Sequence, residues 1–174
     1  MEDQIINRVS QSSLVSIDLA NFIPQGERAF IDLKDFLYQG LILREKEFRA
    51  ALKEIDWEVY RNKYVAVGCS TDAIIPTWAY MLFVTQLLPV SKAAVKGTYD
   101  DLEKSIFLAE LNRIGWQTFE NTKVVIKGCS ELVDPAFCFF EVTKKLMPWV
   151  SSIMYGEPCS TVPVFKKSVK NFPQ

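Results

Sequence analysis

The chain has 174 residues, is 49% hydrophobic and 24% charged, and carries a formal net charge of −1; these are values of an ordinary globular chain long enough for a sizeable core in one domain. So small a net charge supplies no basic field for nucleic acid or an anionic membrane, and neither is expected as a partner. The absence of histidine excludes Ser-His-Asp and Cys-His catalysis and every His-containing zinc site, and leaves proton transfer to Asp, Glu, Lys, Tyr or Cys.

The N-terminus, Met1-Glu2-Asp3-Gln4, is acidic and polar, so no signal peptide is expected. A helix is predicted near Asp3–Val9, then strands near Leu14–Leu19 and Ala29–Leu33. Leu43 to Arg49 is dense in charge and reads as the solvated start of a helix over about 44–55, with Glu45 and Arg49 as an i,i+4 pair. Phe48, Ala51, Leu52 and Ile55 form its apolar face. Tyr64-Val-Ala-Val67 reads as a strand ended by Gly68, and Pro76 suits the first turn of a helix running to about Leu88, where Pro89 stops it. A strand over Lys92–Lys96 follows. The pattern then recurs: a helix over about 99–114, a strand at Val124-Val-Ile126, Gly128, Pro135, a helix to about Met147, Pro148, and strands at Ser151–Tyr155 and Val162–Lys166. Ala73–Ser91 carries no charge and nearly reaches the length of a bilayer span. Pro76, Pro89, Thr85 and Gln86 interrupt it, and its later counterpart carries Glu141, Lys144 and Lys145, so a buried helix is expected.

The recurrence extends to residue identities. Phe48, Ala50, Leu52, Ile55 and Trp57 match Phe107, Ala109, Leu111, Ile114 and Trp116 at an offset of 59 (107 − 48). Asn62 matches Asn121. With a one-residue gap, Lys63 and Val65 match Lys123 and Val125, and Gly68-Cys69-Ser70 matches Gly128-Cys129-Ser130; the gap then closes, and Pro76, Leu87, Pro89 and Gly97 match Pro135, Leu146, Pro148 and Gly156. The expected fold is therefore α/β: a single domain over 1–174 with a pseudo-twofold internal duplication, helix–strand–Gly-Cys-Ser loop–helix–strand, twice (about 42–97 and 101–156), around a mixed, partly parallel sheet.

No CxxC pair occurs among Cys69, Cys129, Cys138 and Cys159, and free thiols in a reducing cytoplasm are expected. The two Gly-Cys-Ser tripeptides are predicted at matching strand exits just before helices, where α/β sheets bind ligands and a helix N-terminus lowers a nearby thiol pKa. Cys159-Ser160-Thr161 echoes Cys69-Ser70-Thr71 at a third strand exit. If Cys69, Cys129 and Cys159 converge, three thiolates suit zinc or iron, with Asp72, Asp134 or an exogenous ligand completing the shell. Against this stands the structural alternative of small buried hydrophobes at tight strand exits. Cys138, within Ala136-Phe-Cys-Phe-Phe140, is expected in the core, and Trp57, Trp78, Trp116 and Trp149 as core or interface anchors.

Gly68–Met81, Lys127–Ser130 and Gly156–Lys166 resemble segments of an uncharacterised Bacteroidota family, domain of unknown function 2480. The resemblance covers nearly the whole chain and implies a cytoplasmic bacterial protein. It carries no activity or catalytic residue, and it implies an association with iron–sulfur assembly proteins.

Three functions remain open on these residues. The favoured one, leaning away from an enzyme, is a non-catalytic accessory or binding protein with a thiolate site at Cys69, Cys129 and Cys159, metal- or iron–sulfur-related. The second is a cysteine-dependent enzyme or sulfur carrier using Cys69 or Cys129. The third is a structural or interaction protein, a homo-oligomer with buried inert cysteines.

Overall fold

The structure is a computed structural model, described here for residues 14–128 and 132–167. The helix predicted near Asp3–Val9 lies outside the described residues, as does Cys129. In chain order the elements are β1 (Leu14–Asp18), β2 (Arg28–Asp32), α1 (Glu45–Glu54), β3 (Tyr64–Gly68), α2 (Thr77–Leu87), β4 (Ala93–Lys96), α3 (Tyr99–Arg113), β5 (Lys123–Lys127), α4 (Pro135–Leu146), β6 (Ser152–Glu157) and β7 (Ser160–Lys166). Short 3-10 turns follow β1, β2, α1 and α3. No helix among the described residues is long and apolar enough to cross a membrane.

The α/β class and the mixture of parallel and antiparallel pairing are as expected, but the strands are divided between two sheets. The chain packs as two compact units, Pro24–Ile106 and Met1–Ile23 with Phe107–Gln174. The former, the insert unit, interrupts the latter, the terminal unit, in sequence.

In the insert unit β2, β3 and β4 form a wholly parallel sheet in that order. Val65 and Val67 of β3 join Phe48 and Leu52 of α1 and Ala79, Phe83 and Leu87 of α2 in one buried cluster. The intervening Ala66 clusters instead with Leu102 and Ile106 of α3. Period-two alternation thus sends β3 side chains to both faces, which is why the strand is apolar throughout. The Phe83 ring meets Phe36, Phe48 and Trp57 edge-on at centroid distances of 5.4, 5.5 and 5.8 Å.

In the terminal unit β1, β5 and β6 are parallel, and β7 adds to β6 antiparallel. Its buried cluster joins Ile17, Val124, Ile126 and Ile153 of the sheet to Phe107 and Leu111 of α3 and Cys138, Val142 and Leu146 of α4. Cys138 is a core residue, as expected. So is Trp116, while Trp57, Trp78 and Trp149 are half-buried against the clusters.

Each sheet begins with a strand that the repeat limits 42–97 and 101–156 leave out. Those strands carry a signal of their own: Ile17-Asp18-Leu19 with Phe22, and Ile31-Asp32-Leu33 with Phe36, spaced by 14 (31 − 17). Each aspartate caps the 3-10 turn behind its strand, Asp18 Oδ1 accepting the Ala20 N–H and Asp32 Oδ1 the Lys34 N–H, both at 3.0 Å.

The two units share backbone detail at a constant offset of 59. Asn62 and Asn121 have φ of 58° and 59°. Their N–H groups donate to the carbonyls of Val90 and Trp149, each at 2.9 Å, and Lys92 and Ser151 donate to Lys63 and Thr122, each at 2.8 Å. Tyr64 pairs with Ala93 as Lys123 pairs with Ser152. The indole N–H of Trp57 reaches the Leu52 carbonyl, and that of Trp116 the Leu111 carbonyl. This register corrects the expected gap. Val65 corresponds to Val124, Gly68 to Lys127 and Cys69 to Gly128, so the Gly-Cys-Ser tripeptides stand one residue out of step.

Candidate functional site

The parallel sheet β2-β3-β4 opens at its C-terminal edge into a cleft of about 470 Å³ within the insert unit. This is the edge at which parallel α/β sheets offer ligand crevices, because the chain leaves each strand there by a loop. Phe30, Gly68 and Lys96 come from the strands, Cys69-Ser70-Thr71 from the loop after β3, Tyr80 from α2, and Thr98, Tyr99 and Asp101 from the start of α3.

Each wall has a local cause. Asp32, the last residue of β2, accepts the Ser70 N–H at 3.0 Å as well as the Lys34 N–H, fastening the Cys69 loop to the neighbouring strand. Burial would raise the Asp32 pKa, but hydrogen bonding to Ser70 and Lys34 outweighs it and holds the carboxyl at about 2. A Cβ on Gly68 would lie 2.6 Å from the Gly97 carbonyl oxygen and 3.1 Å from the Phe30 ring, so glycine is what lets β3 and the exit of β4 close the floor. Gly97 itself has φ of +144°. Beyond it Thr98 and Asp101 form a reciprocal cap on α3: Asp101 Oδ2 accepts from Thr98 N (2.8 Å) and Oγ1 (2.9 Å), and the Asp101 N–H donates to Thr98 Oγ1 at 3.2 Å. Those bonds, the backbone one first, lower the Asp101 pKa.

Inside the cleft Cys69 is half-buried, its Sγ 3.3 Å from Thr71 Oγ1. Burial first, and then proximity to Cys69, raise the Tyr80 pKa, keeping the phenol protonated. The Lys96 ammonium stands 5.6 Å from the centre of the Tyr80 ring. The cleft therefore presents one cation, the Asp101 carboxylate, a thiol and several hydroxyls.

The two described thiols of the predicted set, Cys69 and Cys159, each follow the end of a strand, as expected. Cys69 precedes the first residue of α2 by eight positions (77 − 69), so it is not in that helix's first turn, and the α3 terminus lines its cleft instead. Cys159 follows a strand at a turn, as expected: Pro158 and Cys159 form the tight turn joining β6 to β7, and the thiol is exposed. Among the described residues no group of three His, Cys, Asp or Glu side chains is placed to hold a metal ion. Asp134 caps α4 by accepting the Phe137 N–H at 3.0 Å.

The terminal unit dresses the corresponding positions differently. Lys127 stands where the insert unit has Gly68, and its ammonium lies 3.4 Å from Asp18 and 3.9 Å from Glu157. Phe139 and Tyr155, in the places of Tyr80 and Lys96, pack edge-on at 5.0 Å. The residues missed by reading cysteines alone are thus Asp32, Tyr80 and Lys96. Of these only Asp32 had a legible signal, its repeated Ile-Asp-Leu setting.

No curated protein matches the chain, and no solved structure matches it. The sequence profile of a family described as "Protein of unknown function (DUF2480)" matches residues 3–167. With nearly its whole length matched, the chain belongs to that family.

Proposed function

We propose that the chain is a non-catalytic binding protein with its ligand seat in the insert-unit cleft. The ligand is a small polar molecule whose acidic group pairs with Lys96 and which lies against Cys69 and Tyr80. The observation that carries this reading is the contrast between the two units. At the same backbone positions the terminal unit has a paired lysine and packed aromatics, whereas the insert unit leaves an open, mixed-polarity cleft in which the Lys96 ammonium stands over a phenol ring with the Asp101 carboxylate nearby. The thiol gives the seat a soft donor, and zinc or iron is the metal chemistry it would favour.

Native mass spectrometry of untagged, anaerobically purified protein tests the proposal, alongside zinc and iron analysis. A bound species lost from both Cys69→Ser and Lys96→Ala is the expected result. A bound metal lost from Cys69→Ser but retained by Lys96→Ala would assign the seat to the thiolate reading. Wild-type protein without any bound mass, whose Cys69 alkylation no cell-extract metabolite fraction slows, would overturn the proposal.

A further inference from the structure

Two features of the insert-unit cleft lie beyond the seat at Lys96, Cys69 and Tyr80. The first is a pair of rings: Phe30 and Tyr99 both line the cleft, their centroids 5.6 Å apart and their planes inclined by 31°. The second is a carboxylate. Asp101 lines the same cleft as Lys96. Its Oδ2 accepts both Thr98 bonds, and its Oδ1 takes neither. Hydrogen bonding to Thr98 first, and then the charges of Lys104 and Lys96, lower the Asp101 pKa, so the group is ionised near neutral pH.

At the corresponding positions the terminal unit has neither feature. Ser16, opposite Val125 in its ladder, takes the place of Phe30, which lies opposite Ala66. Tyr155 takes the place of Lys96, and after Gly156, the counterpart of Gly97, the chain turns into β7 instead of a capped helix. The ring pair, the ammonium and the carboxylate therefore distinguish the sheet edge of the insert unit. Their charges select what fits. A ligand with only a negative charge gains from Lys96 and loses to Asp101, and one with only a positive charge does the reverse. A zwitterion gains from both.

We infer that the ligand of this cleft is an aromatic α-amino acid, its carboxylate on Lys96, its ammonium on Asp101 and its ring against Phe30 and Tyr99. The inference rests on the ligand seat proposed above and names the class of molecule that fills it. An α-amino acid carries its two charges on one carbon, which suits a cation and an anion close enough for one to act on the other. Tyr99 is 48% exposed, so its ring is open to an offset or edge contact from an aromatic side chain. The cleft volume of about 470 Å³ lies within the range of small-molecule sites.

Saturation-transfer NMR titrations of the full chain with four probes test this: L-phenylalanine, hydrocinnamate without the ammonium, phenethylamine without the carboxylate, and L-alanine without the ring. Phenylalanine is expected to bind and to slow Cys69 alkylation by iodoacetamide. Each incomplete probe is expected to bind about fivefold more weakly or worse. Asp101→Asn, whose amide oxygen still accepts the Thr98 N–H, is expected to weaken phenylalanine about fivefold and to leave hydrocinnamate unweakened. Should that variant lose its circular-dichroism signal, the ranking of the four probes on wild type decides alone. Phenylalanine without binding in the millimolar range, phenethylamine or alanine matching it, or an equal Asp101→Asn loss for phenylalanine and hydrocinnamate would each overturn the inference. Hydrocinnamate as tight as phenylalanine, and lost from Lys96→Ala, would overturn it while leaving the acidic-ligand seat standing. Failure of every probe together with no bound mass in the native spectrum would remove both.

Discussion

Asp32 and Ser70, 38 residues apart in the chain, are joined by one hydrogen bond in which the Ser70 N–H donates to Asp32 Oδ1 at 3.0 Å. The same oxygen accepts the Lys34 N–H. One carboxylate therefore caps the turn after β2 and holds the Cys69 loop in place, so its removal should be felt at two sites. Asp32→Ala is expected to cost about 1–2 kcal/mol of stability, the usual loss for an N-cap carboxylate. It should also speed Cys69 alkylation by iodoacetamide at constant pH. Urea denaturation and peptide-mapped labelling measure the two effects; unchanged labelling would separate Asp32 from the loop.

The same carboxyl gives a pH dependence of known sign. Its folded pKa lies at about 2 against an ordinary 3.8, so between those values the unfolded chain binds more protons than the folded one. Its contribution is complete above about pH 4 and disappears as the pH falls toward about 2. The difference in urea midpoint between wild type and Asp32→Asn should shrink across that window and stay constant above it.

Gly68→Ala tests the close approach of β3 to the exit of β4. The added methyl would meet the Gly97 backbone oxygen and the Phe30 ring, and neither can withdraw as a flexible side-chain tip does. A loss of about 2 kcal/mol is expected from overpacking. Gly128→Ala, where the nearest atoms are side-chain carbons of Leu132 and Phe139, should cost less. Equal losses would show that the two glycines play one role after all.

Trp116 donates its indole N–H to the Leu111 carbonyl at 2.8 Å in a buried setting, and Trp57 donates to Leu52 at 3.1 Å while half-buried. Trp116→Phe leaves a buried carbonyl without that donor and is expected to cost about 2 kcal/mol or more once the lost ring contact is included. Trp57→Phe should cost about 1 kcal/mol, because water replaces its donor more readily. Chemical denaturation of both variants gives the comparison.

Arg28 and Glu103 form a two-pronged pair, Nε to Oε1 at 2.7 Å and a second guanidinium nitrogen to Oε2 at 3.1 Å, with both side chains about one-fifth exposed. A double-mutant cycle with Arg28→Met and Glu103→Gln is expected to return a coupling near 1 kcal/mol, at the upper end for partly exposed pairs because the geometry is bidentate. The more exposed Arg49–Glu45 pair should return about 0.3–0.5 kcal/mol.

Much of the local structure was legible in the sequence, for reasons that are themselves local. The apolar spacing of Phe48, Ala51, Leu52 and Ile55 specifies α1, and Pro89 and Pro148 end α2 and α4. Two decisions belonged to the tertiary structure. Strand partnership pairs β1 with β5, Leu14 and its partner Lys123 being 109 positions apart (123 − 14), and no periodicity within a segment encodes a partner that distant. Register was the other. Matching letters favoured aligning Cys69 with Cys129, but the hydrogen bonds of Asn62, Lys63 and Lys92 and of Asn121, Thr122 and Ser151 align Cys69 with Gly128. A strand's register is fixed by the ladder it joins and the face it must bury, and the tripeptide that happens to leave its end has no vote in either.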